Sequence, residues 1–321
     1  MIHLFEALGR KMALDVGSGA VMSLDDIAYD ALSLLLEDRN ADIAARLAEK
    51  YPREEAEETV SELRQLFAEG YLDTPDDYSD VKPADSGVVK AMCLHAAHDC
   101  NLRCQYCFAS TGDFGTGRKI MDIETAKRAI DFVIQRSGSR RNIEVDFFGG
   151  EPLMAMDTVK ATVAYARSIE KKAGKCFRFT ITTNGVLLDD ENIDYINREM
   201  SNAVLSLDGR PQVNDRMRKT VNGKGSYEVI VPKFQKLVAG RGTKDYYVRG
   251  TFTRDNLDFS QDVLHMGDLG FRHVSVEPAS GPLDDPFAIK EEDLEKVEAE
   301  YEKLAGQLME RPDINFFHFN V

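Results

Sequence analysis

Two rhythms alternate along most of this chain. Short runs with period-2 or continuous apolar character read as strands, and stretches with apolar residues three and four apart read as helices. From Val88 onward the strands are predicted at Val88–His95, Ile143–Phe148, Phe177–Thr182, Ala203–Leu207, Tyr246–Phe252 and His273–Val276. Helices are predicted after them at about 123–136, 158–172, 190–199, 226–239, 259–269 and 291–309. Strand followed by helix, six times over, implies a parallel sheet with helical crossovers. Six units do not close an eight-stranded barrel, so the expected fold class is α/β, an open partial (β/α)6 barrel.

The first quarter follows a different pattern. Lys11–Val16 and Ala20–Leu24 read as two strands, with Gly17-Ser18-Gly19 as the hairpin turn between them. Asp25 or Asp26 is placed to cap a helix carrying Ile27, Ala31, Leu34 and Leu35. A second helix carries Ile43, Ala44 and Leu47. A third carries Ala56, Val60, Leu63 and Phe67, with Glu54, Glu55, Glu57 and Glu58 at its start and Gly70 at its end. Acidic residues at a helix start suit the dipole. A hairpin and three helices make a small winged helix-turn-helix-like domain. Asp73 to Pro83 is acidic, rich in turn formers and poor in apolar residues, which marks a boundary. The expected organisation is therefore a first domain over 1–75, a linker over 76–87, the barrel over 88–310, and the start of a further domain over 311–321.

Composition narrows the possible partners. The 321 residues are 43% hydrophobic and 30% charged, as in ordinary globular proteins. No apolar run approaches the roughly 20 residues of a membrane span. Met1–Glu6 lacks the basic and apolar regions of a secretory signal. The net charge is −15, and residues 1–87 hold most of it, with 20 Asp and Glu against 8 Lys and Arg. So acidic a surface repels phosphate backbones, and nucleic acid is not expected as a partner. Clustered cysteines without a disulfide framework fit a reducing cytoplasm.

Three of the five cysteines fall within eight residues, as Cys100, Cys104 and Cys107 in C-x3-C-x2-C spacing. Three thiolates on one loop suit three corners of an iron–sulfur cube, leaving one iron without a protein ligand. A zinc site is the alternative, with His98, His95 or Cys93 as a fourth ligand, although zinc loops favour paired C-x2-C knuckles and no second knuckle is present. Parallel barrels carry their sites at C-terminal strand ends. Those ends hold the cysteine loop, Gly149-Gly150-Glu151-Pro152, Thr183-Asn184-Gly185, Ser206-Leu207-Asp208-Gly209 and Glu277-Pro278.

With its C-x3-C-x-aromatic-C spacing (Tyr106 as the aromatic) and its Gly149-Gly150-Glu151-Pro152, the segment 93–277 resembles the radical S-adenosylmethionine (SAM) enzymes. Thr182–Gly185 and Ser206–Gly209 resemble the SPASM or twitch branch. The acidic first domain resembles the leader-peptide recognition domains of ribosomal-peptide maturases, similar to the peptide chaperone of PQQ biosynthesis. There a leader adds a strand to the sheet edge. A structural domain that only stabilises the enzyme is the alternative. Together these features resemble maturases of six-cysteines-in-forty-five (SCIFF) peptides.

The resemblance implies a [4Fe–4S] cluster on Cys100, Cys104 and Cys107, with SAM chelating the open iron through its amine and carboxylate. Gly149 and Gly150 would let backbone approach the amine, and Glu151 would bind it or brace the loop. The Tyr106 backbone would meet adenine, and Ser206 and Asn184 the ribose or methionine. Arg218 would pair with the methionine carboxylate or be a solvated residue of a basic run. Asp208 stays open between ligand contact and a turn acid, and Glu277 between lining the pocket and holding the strand end. Reductive cleavage would give a 5′-deoxyadenosyl radical that abstracts a substrate hydrogen. For SCIFF maturases the product is a thioether from a cysteine sulfur to a threonine α-carbon. A cysteine-rich precursor peptide, its leader on residues 1–75, and an external donor such as flavodoxin or ferredoxin are the implied partners. A sulfatase-maturating enzyme is the neighbouring alternative, and a zinc-stabilised peptide-binding scaffold the alternative from another class.

One departure from the branch stands out. Its members hold auxiliary [4Fe–4S] clusters on cysteines after the barrel, and here none follows Cys176. The apolar run Ile314–Val321 reads as a strand that breaks off, so a truncated C-terminal domain is expected. Cys93 and Cys176 are expected to be buried structural thiols.

Overall fold

The computed structural model describes residues 1–77, 80–82, 87–282 and 284–320. Much of the expected linker over 76–87, and Val321 of the terminal run, lie outside these. The chain divides into two compact units, Met1–Asp85 and Ser86–Val321.

The first unit opens with three strands, β1 (Ile2–Ala7), β2 (Arg10–Asp15) and β3 (Ala20–Leu24), in one antiparallel sheet of order β1-β2-β3. The pattern of the sequence suggested only the last two. β1 places Leu4 opposite Ala13 and packs Ile2 and Leu4 against the core. Helices α1 (Asp26–Glu37), α2 (Ile43–Leu47) and α3 (Arg53–Ala68) cover the sheet. Asp25 caps α1 by accepting from the Ala28 N–H at 2.8 Å. The buried stripe of α1 is Ile27, Ala31, Leu32 and Leu35. It uses Leu32 where the spacing suggested Leu34. Ala56, Val60 and Leu63 of α3 close the core. Asp15 is fully buried and accepts from the Gly17 N–H, the Thr74 N–H and the Thr74 hydroxyl. It ties the hairpin to the segment after α3.

The second unit is built on six parallel strands: β4 (Ala91–His98), β7 (Asn142–Gly149), β8 (Cys176–Thr183), β9 (Asn202–Ser206), β11 (Asp245–Phe252) and β12 (His273–Pro278). Between β4 and β7 lie the short strands β5 (Leu102–Cys104) and β6 (Lys119–Ile120), and between β9 and β11 lies β10 (Arg218–Thr220). The six parallel strands lie side by side in chain order, with β6 antiparallel on the outer edge of β4. On the other edge a two-residue strand, β13 (Asn315–Phe316), pairs parallel with β12. The sheet has two unjoined edges, as an open (β/α)6 barrel requires. The terminal apolar run thus contributes one rung pair and then turns, burying Phe316 and leaving Phe317 and Phe319 exposed.

Helices α4 (Ile123–Arg136), α5 (Met156–Ala173), α6 (Asp190–Glu199), α7 (Pro211–Met217), α8 (Tyr227–Ala239), α9 (Ser260–Asp268) and α10 (Leu294–Met309) follow the strands in turn. They bury one face of the sheet, where Val145, Phe147, Phe177, Phe179, Ile181, Leu205, Val248 and Val276 are nearly solvent-free. Each such aromatic contributes about 1.5–3 kcal/mol by leaving water. The alternate residues, including Asp146, Thr180, Thr182, Ser206, Arg249, Thr251 and Glu277, occupy the other, concave face. Cys93 belongs to that polar face and is exposed. This corrects the expectation of a buried thiol, because Leu94 beside it takes the helix-facing position. Cys176, at the start of β8, is half-buried. Among the described residues no helix is long and apolar enough to cross a membrane.

Candidate functional site

At the C-terminal ends of the parallel strands lies a cavity of about 340 Å³. It is lined by Cys100, Cys104, Tyr106, Cys107, Gly149, Gly150, Glu151, Asn184, Ser206 and Arg218. The residues that the sequence singled out for the cluster and for S-adenosylmethionine thus line one space, whereas Asp208 is not part of its lining. Arg249, Thr251 and Glu277 form part of its wall, with Arg249 and Glu277 ion-paired at 3.0 Å.

The cysteine loop is shaped by its own backbone and by two neighbours. The Asp99 carboxylate accepts from the Cys100 N–H and pairs with Arg118. Arg103 donates to the carbonyls of Cys100 and Leu102, both at 2.6 Å. β5 then forms a three-rung antiparallel ladder with β10, setting Cys104 opposite Arg218.

The segment after β7 grips the same loop. The Gly150 N–H donates to the Ala97 carbonyl and the Glu151 N–H to that of Asp99, both at 2.8 Å. A Cβ on Gly149, whose φ is +127°, would stand 2.3 Å from the Ala97 oxygen. One on Gly150 would stand 2.2 Å from the Asp99 oxygen. The glycines therefore make room for the backbone of the cysteine loop. The same glycines also line the cavity, where the resemblance places the ligand amine. Glu151 is 1% exposed and accepts three hydrogen bonds, from the Leu153 N–H (3.0 Å), the Thr183 hydroxyl (2.7 Å) and the Asn184 N–H (2.7 Å). Burial pushes its pKa up, and those donors together with the Arg218 charge pull against that. These bonds make Glu151 a brace of the loop, and the residue also lines the cavity. The Asn184 amide donates to Asn101 Oδ1 at 2.8 Å and to Cys100 Sγ at 3.5 Å. It thereby joins the end of β8 to the loop. Ser206 ends β9 at the cavity wall.

Beneath the loop lies a buried charged network. The Tyr106 hydroxyl donates to Asp208 Oδ2 at 2.6 Å and accepts from Arg218 Nη1 at 2.8 Å. Arg218 is therefore no solvated member of a basic run; it is 8% exposed. Burial works against its charge, and Tyr106, Cys104 and Asp208 hold the charge on. Burial likewise raises the Asp208 pKa, which Arg218 counters. Asp208 is therefore more than a turn acid: it belongs to this network. The signal available for it was an acid at a strand end beside a candidate ligand, Ser206.

The donor set fits an iron–sulfur cluster. Cys100, Cys104 and Cys107 are free, half-buried thiols on one loop facing one cavity. Burial pushes the Cys100 thiol up to about 12 and raises that of Cys104. Thiolates there need a cation beside them, which iron supplies. Zinc's fourth ligand is not assembled. His95 stacks on Phe114 and His98 meets the same ring tilted, with centroids 4.6 and 4.9 Å away, and Cys93 lies on the strand. Among the described residues no group of three or more His, Cys, Asp or Glu is placed around a single metal ion.

Comparison with known proteins agrees with this geometry. Residues 96–248 match the model of the Radical SAM superfamily. Residues 10–72 match that of coenzyme PQQ synthesis protein D (PqqD). The cysteine-type anaerobic sulfatase-maturating enzyme of Clostridium novyi is 25% identical over 60% of this chain and 51% of its own length. The sporulation killing factor maturation protein SkfB of Bacillus subtilis is 25% identical over 72% of this chain and 53% of its own. The chain spans about half the length of these curated relatives. Its fold is shared by the solved structure described as native anSMEcpe with bound AdoMet. That structure has a TM-score of 0.63 and 16% identity, over 72% of this chain and 65% of the other. Residues 96–248 thus belong to a radical SAM domain, the kind that takes a [4Fe–4S] cluster and S-adenosylmethionine, and the PqqD-like segment 10–72 precedes them in sequence.

Proposed function

We propose that this chain is a radical SAM maturase of ribosomally made peptides, resembling the SCIFF maturases, that joins a cysteine sulfur to a threonine α-carbon. The observation that carries the reading is the single cavity in which three free thiols of one loop meet the ends of β7, β8 and β9. Cys100, Cys104 and Cys107 would hold the cluster. Tyr106, Gly149, Gly150, Asn184, Ser206 and Arg218 would surround S-adenosylmethionine, with Arg218 toward its carboxylate. When bound, this pair supplies one-electron chemistry able to remove a hydrogen atom from carbon. The protein's own part is to orient and to shield. Glu151 and Asn184 fix the loop, Phe108 and Phe148 add apolar wall to the cavity, and Arg249 and Glu277 present polar groups. The PqqD-type domain supports a leader-binding role for residues 1–75, through an edge strand of its sheet. The substrate is then a cysteine-rich precursor peptide, the reductant a cytoplasmic flavodoxin or ferredoxin, and the compartment the cytoplasm.

The test is anaerobic reconstitution followed by S-adenosylmethionine and dithionite. Formation of 5′-deoxyadenosine is expected; none, with the cluster present by absorbance and EPR, overturns the reading. Removing residues 1–80 is expected to abolish leader binding, and unchanged affinity overturns that part. A second reading, a sulfatase-maturating type of activity, draws on the likeness to the Clostridium novyi enzyme. Modification of a sulfatase peptide lacking any leader would favour it.

A further inference from the structure

The Tyr106 hydroxyl joins two groups that do not reach each other. It lies between Asp208 and Arg218, 2.6 Å from one and 2.8 Å from the other. The nearest direct approach of the guanidinium to Asp208 is 3.7 Å, too long for a hydrogen bond. Asp208 is pinned from behind. Its Oδ1 accepts from the Thr251 N–H at 3.1 Å, and its own N–H donates to Asn214 Oδ1 at 3.4 Å. Arg218 is anchored through β10, opposite Cys104. Its side chain is 9% exposed and the residue lines the cavity, yet its buried Nε–H has no hydrogen-bond partner among the described residues. Buried N–H groups without an acceptor are rare, and a charged one is the most expensive to leave so. Arg218 thus keeps unused donor capacity beside the cavity, which suits an anionic acceptor there.

We propose that the Tyr106 hydroxyl is a positioning group that holds Arg218 turned toward the carboxylate of bound S-adenosylmethionine, so that it sets cofactor affinity through that carboxylate. This rests on the reading above that Arg218 faces the carboxylate. Without the hydroxyl, nothing keeps the guanidinium off Asp208. It closes the remaining gap, forms an Arg–carboxylate fork, and withdraws from the cavity.

The experiment uses the full chain, reconstituted without oxygen, as wild type and as Tyr106→Phe. Iron and sulfide content are measured first. Equilibrium binding is then measured for S-adenosylmethionine and for its decarboxylated form. Tyr106→Phe is expected to keep its iron and to bind S-adenosylmethionine about tenfold more weakly, a change of about 1.4 kcal/mol. The decarboxylated compound is expected to bind wild type and variant within about twofold of each other. In an Arg218→Gln background, adding Tyr106→Phe is expected to change nothing further, because the interaction is already gone. Equal weakening for both compounds overturns the proposal in favour of simple packing by the ring. Unchanged affinity overturns it outright, and lost iron shows that the hydroxyl serves the loop instead. If wild type itself binds both compounds equally, it is the Arg218–carboxylate reading that fails, and the proposal falls with its premise.

Discussion

Substituting Glu151 by Gln leaves the side chain's shape intact, removes its charge and turns one acceptor into a donor. In the native protein Oε1 accepts from the Leu153 N–H and the Thr183 hydroxyl, and Oε2 from the Asn184 N–H. A glutamine oxygen serves the first pair. Its NH2 then faces the Asn184 N–H, donor against donor, in a buried place. One charge-assisted hydrogen bond is lost, worth about 1.5–3 kcal/mol, and the other two lose their charge. Relief of the burial that raises the Glu151 pKa returns part of this. The net is a destabilisation of about 1–2 kcal/mol. In a unit spanning residues 86–321, each kcal/mol moves the melting temperature by about 2–4 °C, so a drop of about 2–8 °C is expected. Thermal unfolding of cluster-free protein by circular dichroism reads it without the cofactor. Binding of S-adenosylmethionine after reconstitution is the companion measurement. An unchanged melting temperature with lost binding would refute the bracing role and assign the carboxylate to the ligand.

Arg241, 3% exposed, donates to the carbonyls of Ile196, Met200, Ser201 and Asp245. Arg241→Ala strands those acceptors and opens a void, and urea unfolding is expected to show a loss of about 3 kcal/mol or more. For Asp15, burial pushes the pKa up, but hydrogen bonds from Thr74 and Gly17 outweigh it and the net shift is downward. That carboxylate therefore stabilises the first unit above about pH 4 and stops doing so as pH falls through its lowered pKa. Asp15→Asn should flatten this acid limb in hydrogen exchange across residues 1–77. Burial raises Asp146 to about 6, with Arg249 countering. Its folded pKa lies above the unfolded one, so stability declines as pH rises from about 4 to 6 and is level above. Asp146→Asn removes that decline and adds about 1–2 kcal/mol at pH 7, once screening at the partly open concave face is allowed for.

The sheet was readable because its two faces differ. Alternation such as Phe177-Arg178-Phe179-Thr180-Ile181-Thr182 states both the strand and the side that meets the helices. The strand ends were readable because chemistry concentrates there, and Cys100, Glu151, Asn184 and Ser206 meet in one cavity. What escaped depends on partners remote in sequence. β5 and β10 have three residues each, too few to carry a period. The glycine pair signalled that something comes close to Gly149 and Gly150, but only the fold says that it is the carbonyls of Ala97 and Asp99. Asp208 resembles any turn acid until Tyr106 and Arg218 arrive beside it. β1 was overlooked because Phe5 and Ala7 blur its alternation, and its identity comes from pairing with β2.

The ladder between β5 and β10 also bears on how the protein is made. Tyr106 precedes Asp208 by 102 residues and Arg218 by 112. At about 5–20 residues per second, a ribosome needs roughly 5–25 s to travel from the loop to its last supporting residue. Throughout that interval the three thiols are already synthesised, unsupported, and open to the oxidation that turns a thiolate into sulfenic and then sulfinic acid. Oxygen met during translation would therefore damage this site before it exists, so anaerobic growth should raise the fraction of protein that can be reconstituted, whatever precautions follow purification.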